Sequence, residues 1–160
     1  METDNTFTEK EFEKLLNKAA AYCAKKECSP EDIRKKLSHC PQEITEKIIA
    51  RLREGNFLDD ARFASAFATD KFKFNQWGKK KIAVMLKNHG ISNDLIKEAL
   101  AKIDASDYRN TLKKLLQTKR KSLQSKTPPQ QNAALMRFAL SRGFEPALVQ
   151  SLLKEIIKKG

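Results

Sequence analysis

The residues with the greatest chemical capacity lie between Lys71 and Lys87, where KFKFNQWGKKKIAVMLK gathers six lysines, no acid and three aromatic rings around one glycine. A glycine followed by lysine raises the possibility of a phosphate loop, which needs G-x-x-x-x-G-K and then a hydroxyl to reach magnesium. Lys73 occupies the position of the earlier glycine, and Lys80 follows Lys79 where Ser or Thr is required. A nucleotide loop is therefore excluded. The interleaving of Lys71, Lys73 and Trp77 with Phe72 and Phe74 fits a single-strand stacking platform. It competes with a plainer reading, in which Phe63, Phe67 and Phe74 form the inner stripe of one helix. Just beyond, Ile82, Met85 and Leu86 supply the buried stripe of an amphipathic segment, which leaves Lys79, Lys80 and Lys87 facing outward as contact candidates.

Other reactive side chains do not assemble into a centre. Cys23, Cys28, Cys40 and His39 have the chemistry for zinc but not the two-to-four-residue ligand spacing of a structural site. Asp59 and Asp60 are adjacent carboxylates at a helix start, where they serve as caps. His89 precedes Gly90, at a helix end that favours a cation. No serine or cysteine stands in a nucleophile motif. No catalytic, cofactor-binding or metal-ligating residue is assigned, and a non-enzymatic protein without cofactors is expected.

The net charge of +12 is unevenly distributed: residues 1–57 carry 11 Lys/Arg and 11 Asp/Glu, whereas residues 108–160 carry 12 and 2. Basic excess in the last third points to a polyanion or an acidic protein surface as partner. Contact candidates there are Lys113, Lys114, Lys119, Arg120, Lys121, Arg137 and Arg142. No apolar run reaches the roughly 20 residues of a membrane span, and METDNTFTEKEFEK is too polar for a signal peptide. A cytoplasmic monomer with no membrane contact is expected.

The elements that must position these residues are helices. Glycine and proline are scarce, at five each. Start signals recur: Thr8 with Glu11, Ser29-Pro30-Glu31-Asp32, Pro41, Asp59 or Asp60, Ser92, Ser106 or Asp107, Thr127-Pro128-Pro129 and Glu145-Pro146. Gly55, Gly90 and Gly143 mark stops. Shifted by 53 positions, Ile82 to Ile103 falls on Leu135 to Ile156 with Gly90 on Gly143, and Ile33, Leu37, Ile48 and Leu52 give a weaker first copy. The expected fold is all-α: an elongated array of three tandem three-helix repeats, about nine helices and no sheet, with KFKF at 71–74 as the one β-like interruption. The expected units are 1–57, 58–105 and the strongly basic 106–160.

At GNFLDDARFASAF, residues 55–67, the chain resembles the RecX family of bacterial recombination regulators. That family's second repeat begins L-D-D-x-R-F-A, matched by Leu58, Asp59, Asp60, Arg62, Phe63 and Ala64, and continues through Gly78, Ile82, Leu86, Gly90 and Ile91. Its first repeat is matched by Tyr22, Ser29, Asp32, Ile33, Lys36 and Leu37. Lys79 stands where the family commonly has proline, and Met85 where it commonly has an acid. The resemblance implies three tandem three-helix repeats without a catalytic site. It also implies a modulator, most often an inhibitor, that lies in the helical groove of the RecA nucleoprotein filament and restrains strand exchange and ATP hydrolysis, acting in recombination, repair and the SOS response. A direct single- or double-stranded DNA binder, acting through the basic C-terminal repeat, is the alternative.

Overall fold

The structure is a computed structural model and describes residues 7–159. Nine helices and no strand occur among the described residues: α1 (Glu9–Lys25), α2 (Pro30–Lys36), α3 (Gln42–Glu54), α4 (Asp60–Asn75), α5 (Lys79–Asn88), α6 (Asn93–Ala101), α7 (Ala105–Lys121), α8 (Pro128–Ser141) and α9 (Pro146–Lys159). The caps explain most of these starts. Thr8, Ser29 and Thr127 form reciprocal capping boxes, and Asp59 and Ser92 accept from the third residue of their helices. At α7 the cap is Asp104, with Asp107 three residues inside, so the expected Ser106 or Asp107 was a few residues late. KFKF is helical, lying wholly within α4: Phe72 turns inward against Tyr108, while Phe74 is left 78% exposed. Phe63 and Phe67 thus form the inner stripe without Phe74.

Two apolar cores result. The first joins Ala19, Cys23, Cys28, Ile33, Leu37, Ile48, Ile49, Leu52 and Leu58, drawn from α1–α3 and their flanks. The second runs unbroken from Phe63 to Ile156 and takes in α4–α9. Between them the contacts are largely polar: Arg62 donates to Glu27 at 2.6 Å, Arg53 to Asp60 at 3.0 Å, and Ser29 Oγ meets His89 Nδ1 at 3.0 Å. An accessible surface of 10105 Å² exceeds the ~8,100 Å² of a compact monomer of this mass.

The second helices of the three units meet end to end. The N-H of Glu31 at the start of α2 donates to the carbonyl of His89 at the end of α5. Likewise Gly78 and Lys80 at the start of α5 donate to Arg142 and Gly143 at the end of α8, at 2.7 and 2.9 Å. Unpaired N-H groups of one helix therefore satisfy unpaired carbonyls of another, aligned with both dipoles.

Candidate functional site

The lysine-rich start of α5 is built into this second junction. Gly78 is its N-cap and offers no side chain; a Cβ there would lie 2.3 Å from the backbone of Gly143. Backbone approaches backbone, and the α8 carbonyls take the place of a capping side chain. Lys79 donates its N-H to the Tyr108 hydroxyl at 2.8 Å, and its ammonium lies 5.0 Å from the centre of the Tyr108 ring. Lys79 is consequently half-buried, in contrast to the outward position expected for it, whereas Lys80 and Lys87 are exposed. Ile82 and Leu86 are buried beneath them, with Met85 at the margin.

Trp77 is half-buried at the end of α4, with its ring edge-on to Phe67. Its faces are not bare: Lys71 and Lys81 place their ammonium groups 5.1 and 4.5 Å from its centre. Lys73 and Lys114 reach a groove between α4 and α7 of about 480 Å³, shared with Lys102, Asp104 and Asp107. Elsewhere in the third unit the candidates divide. Lys113 joins Arg109 on Glu155, and Arg120 donates to the Ile156 carbonyl at 3.3 Å. Lys113, Arg120 and Lys121 line a concavity of about 580 Å³ with Gln117, Gln124 and Gln131. Lys119 and Arg142 flank Phe138, and Arg142 also donates to the Asn75 carbonyl at 3.3 Å. Arg137 is exposed. The basic residues thus spread over several surfaces instead of converging on one.

The motif residues hold the framework. Leu37, Leu58, Phe63, Ala64, Ile82, Leu86 and Ile91 are buried. Ser29 and Asp59 are caps, Asp60 pairs with Arg53, and Arg62 spans the seam to Glu27 and also meets Asp59 at 3.9 Å. Gly90 and Gly143 have φ of 85° and 94°, which follows the 53-residue repeat. Tyr22 is half-buried. Two positions escaped sequence reasoning, Tyr108 and Lys81, and His89, expected only at a helix end, is the C-cap of α5 and does more than that. His89 reaches Ser29 and lies 3.7 Å from Asp32 across the first junction, Tyr108 organises the second, and Lys81 covers Trp77. The helix-end position of His89 was readable from Gly90 after it, whereas the partners of Tyr108 and Lys81 lie on other helices and leave no local signal.

The thiols lie in or beside the first core. Burial pushes Cys28 up to about 12 and raises Cys23 and Cys40 as well, which disfavours the thiolate a metal needs. No group of three metal-ligating side chains occurs among the described residues, and no described helix is long and apolar enough to cross a membrane.

With this geometry the chain can be compared with known proteins. The family models described as the second and third three-helix domains of RecX match residues 59–100 and 107–153. A regulatory protein RecX of Clostridium botulinum (strain Eklund 17B / Type B) is 35% identical over 113 residues, 69% of this chain and 52% of that protein. The chain therefore spans about half the length of that relative. One from Prosthecochloris aestuarii is 29% identical over 148 residues, covering 90% of this chain and 94% of the relative. The crystal structure of RecX from Lactobacillus salivarius superposes with a TM-score of 0.83 at 16% identity, over 92% of this chain and 97% of that one. A second crystal structure of regulatory protein RecX gives 0.82 at 19%, over 96% and 81%. The structural likeness establishes the shared fold, and the two consecutive domain matches, falling on α4–α6 and α7–α9, establish descent: the chain belongs to the RecX family of regulatory proteins.

Proposed function

We propose that the protein is a non-catalytic regulator that lies in the helical groove of the RecA nucleoprotein filament and restrains its ATP hydrolysis and strand exchange. It acts as a monomer in the bacterial cytoplasm, with units 1–57, 58–105 and 106–160. The observation that supports this most directly is the end-to-end succession of second helices, which gives an array able to follow a groove. Exposed charge such as Lys80 and Lys87 adds attraction and on-rate, while shape sets the register. The test is RecA ATPase on single-stranded DNA with increasing protein. Inhibition is expected, and Lys80→Glu with Lys87→Glu should weaken it severalfold while leaving the thermal midpoint nearly unchanged, because exposed charges contribute little to folding. Unchanged ATPase at saturating protein would refute the proposal.

A second reading, direct binding of DNA, is favoured by the 12 to 2 excess of basic residues in the last third. Phosphate binding releases counterions and falls steeply with salt. If inhibition and free-strand binding decline along the same salt slope, inhibition is competition for DNA.

A further inference from the structure

The face shared by α8 and α9 is apolar, although it belongs to the most basic part of the chain. Residues 108–160 carry 12 Lys/Arg and 2 Asp/Glu, yet a concavity of about 620 Å³ is lined by Ala133 and Met136 from α8 and by Leu153 and Ile157 from α9. Among the described residues Lys154 is the one charge on its lining. Leu140 stands one turn beyond Met136 and prolongs the stripe; it is 40% exposed, and Ile157 is 41% exposed. The repeat supplies an internal control, because the 53-residue offset places every one of these positions on the preceding helices. Lys80, Lys87, Lys97 and Asp104 stand where Ala133, Leu140, Gln150 and Ile157 follow, and all four of those charged residues are exposed. At the margins the exchange runs the other way: the exposed Val84 and Ala101 correspond to Arg137 and Lys154, which are also exposed. The polarity of one face is thus inverted between two copies of the same helix pair. Folding does not require the inversion, since α5 and α6 pack without it.

We propose that the α8–α9 groove is a docking site for an acidic amphipathic helix of a partner protein. Apolar residues of that helix, spaced i, i+3 or i+4 and i+7, enter against Met136, Leu153 and Ile157. Its Asp and Glu side chains meet Lys154 on the lining and Arg137, which flanks the α8 stripe four residues after Ala133 and three before Leu140. An exposed apolar stripe ringed by charge is a usual mark of a protein contact.

Charge and shape select this occupant. The two acids of residues 108–160 are engaged elsewhere, Glu145 with Tyr108 and Glu155 with Arg109 and Lys113, so an acidic helix meets Arg137 and Lys154 without competition. The same cations disfavour a second copy of this chain, because a two-fold contact would bring like charges together. A lipid surface is better met by a protruding apolar face with aromatic residues at its edge. Here the face is concave, and no aromatic residue lines it among the described residues.

The inference goes beyond filament regulation and requires neither RecA nor DNA, so the two succeed or fail separately. The experiment titrates the full chain into three fluorescein-labelled synthetic peptides of equal length. The first has Leu along one helical face and Glu on the other, the second replaces Glu by Lys, and the third keeps the composition of the first with its leucines dispersed around the helix. Anisotropy should show the first bound about tenfold or more tightly than either of the others. Ala133→Lys, Leu140→Lys and Ile157→Asp together bring the earlier repeat's residues onto the groove, adding two positive charges and one negative. This variant should bind the first peptide about tenfold more weakly, with helicity and thermal midpoint retained, because anchoring surface is lost while net attraction is not. Arg137→Glu with Lys154→Glu leaves the apolar lining in place and should turn the preference toward the Lys peptide; that result decides the question if the triple variant fails to fold. Equal binding of all three peptides, or a folded triple variant that binds like the parent, would overturn the proposal. A parent dimer in sedimentation that the triple variant abolishes would make a second copy the occupant. Co-sedimentation with phosphatidylglycerol vesicles that is lost in the triple variant would make it a lipid surface, and either result would replace the partner helix.

Discussion

Tyr108 shows how one side chain can hold two units together. Its ring packs between Phe72 and Phe144, and its hydroxyl accepts from the Lys79 N-H while donating to Glu145. Burial first, and then the bond to Glu145, raise its ionisation well above the ordinary phenol range. The unfolded phenol loses its proton near pH 10, whereas the folded one keeps it. The folded state thus binds more protons above pH 10, so the associated stability is present below that value and is lost as pH rises further. Tyr108→Phe should cost about 1–3 kcal/mol at neutral pH, by leaving the Lys79 N-H and Glu145 without a partner, and should flatten the alkaline loss. Urea titrations of both proteins at neutral pH and above pH 10 check this; parallel alkaline losses would assign the effect to other groups. Little of this was legible in the sequence. Tyr108 and Glu145 are 37 residues apart, and no local pattern announces a hydroxyl that caps another unit's helix.

At the scale of helices, α5 opens with three lysines at the positive end of its dipole and with no capping side chain, an unfavourable arrangement in isolation. The α8 carbonyls offset it, and that requires two glycines in contact. A Cβ on Gly143 would lie 2.4 Å from the Lys81 Cβ, whereas one on Gly90 would meet nothing closer than the flexible Arg34 guanidinium at 3.3 Å. Both have positive φ, so each alanine carries a backbone cost of about 1–2 kcal/mol, but only Gly143→Ala adds overpacking of about 1–3 kcal/mol. Gly143→Ala should therefore lower the thermal midpoint clearly more than Gly90→Ala; equal shifts would mean that the junction loosens freely. The helices themselves were largely legible, because Thr8, Ser29, Asp59, Ser92 and Thr127 each cap where side-chain chemistry indicates. KFKF misled because strict alternation over four residues fits either period, and Phe72 is drawn inward by Tyr108, which sequence order does not bring near.

For the whole molecule, the 53-residue offset exposed the array because Gly90 and Gly143 solve the same turn problem in consecutive units. The surfaces were harder to foresee: a lysine's role depends on the ring or carboxylate beneath it, and Lys119 finds Phe138 while Lys113 finds Glu155, each from another helix. The two separate cores have a consequence for how the chain opens and folds. Helices α1–α3 share no apolar core with α4–α9, and half-exposed ion pairs across the seam such as Arg62–Glu27 contribute only about 0–1 kcal/mol each. Native-state hydrogen exchange should resolve two cooperative blocks, with the amides of α1–α3 opening at lower free energy than those of α4–α9. A single common opening energy would mean that the seam couples the two cores fully. Because the smaller core comes first in the chain, it can fold during synthesis before the residues that complete the larger one have emerged, which allows the two blocks to be built in succession.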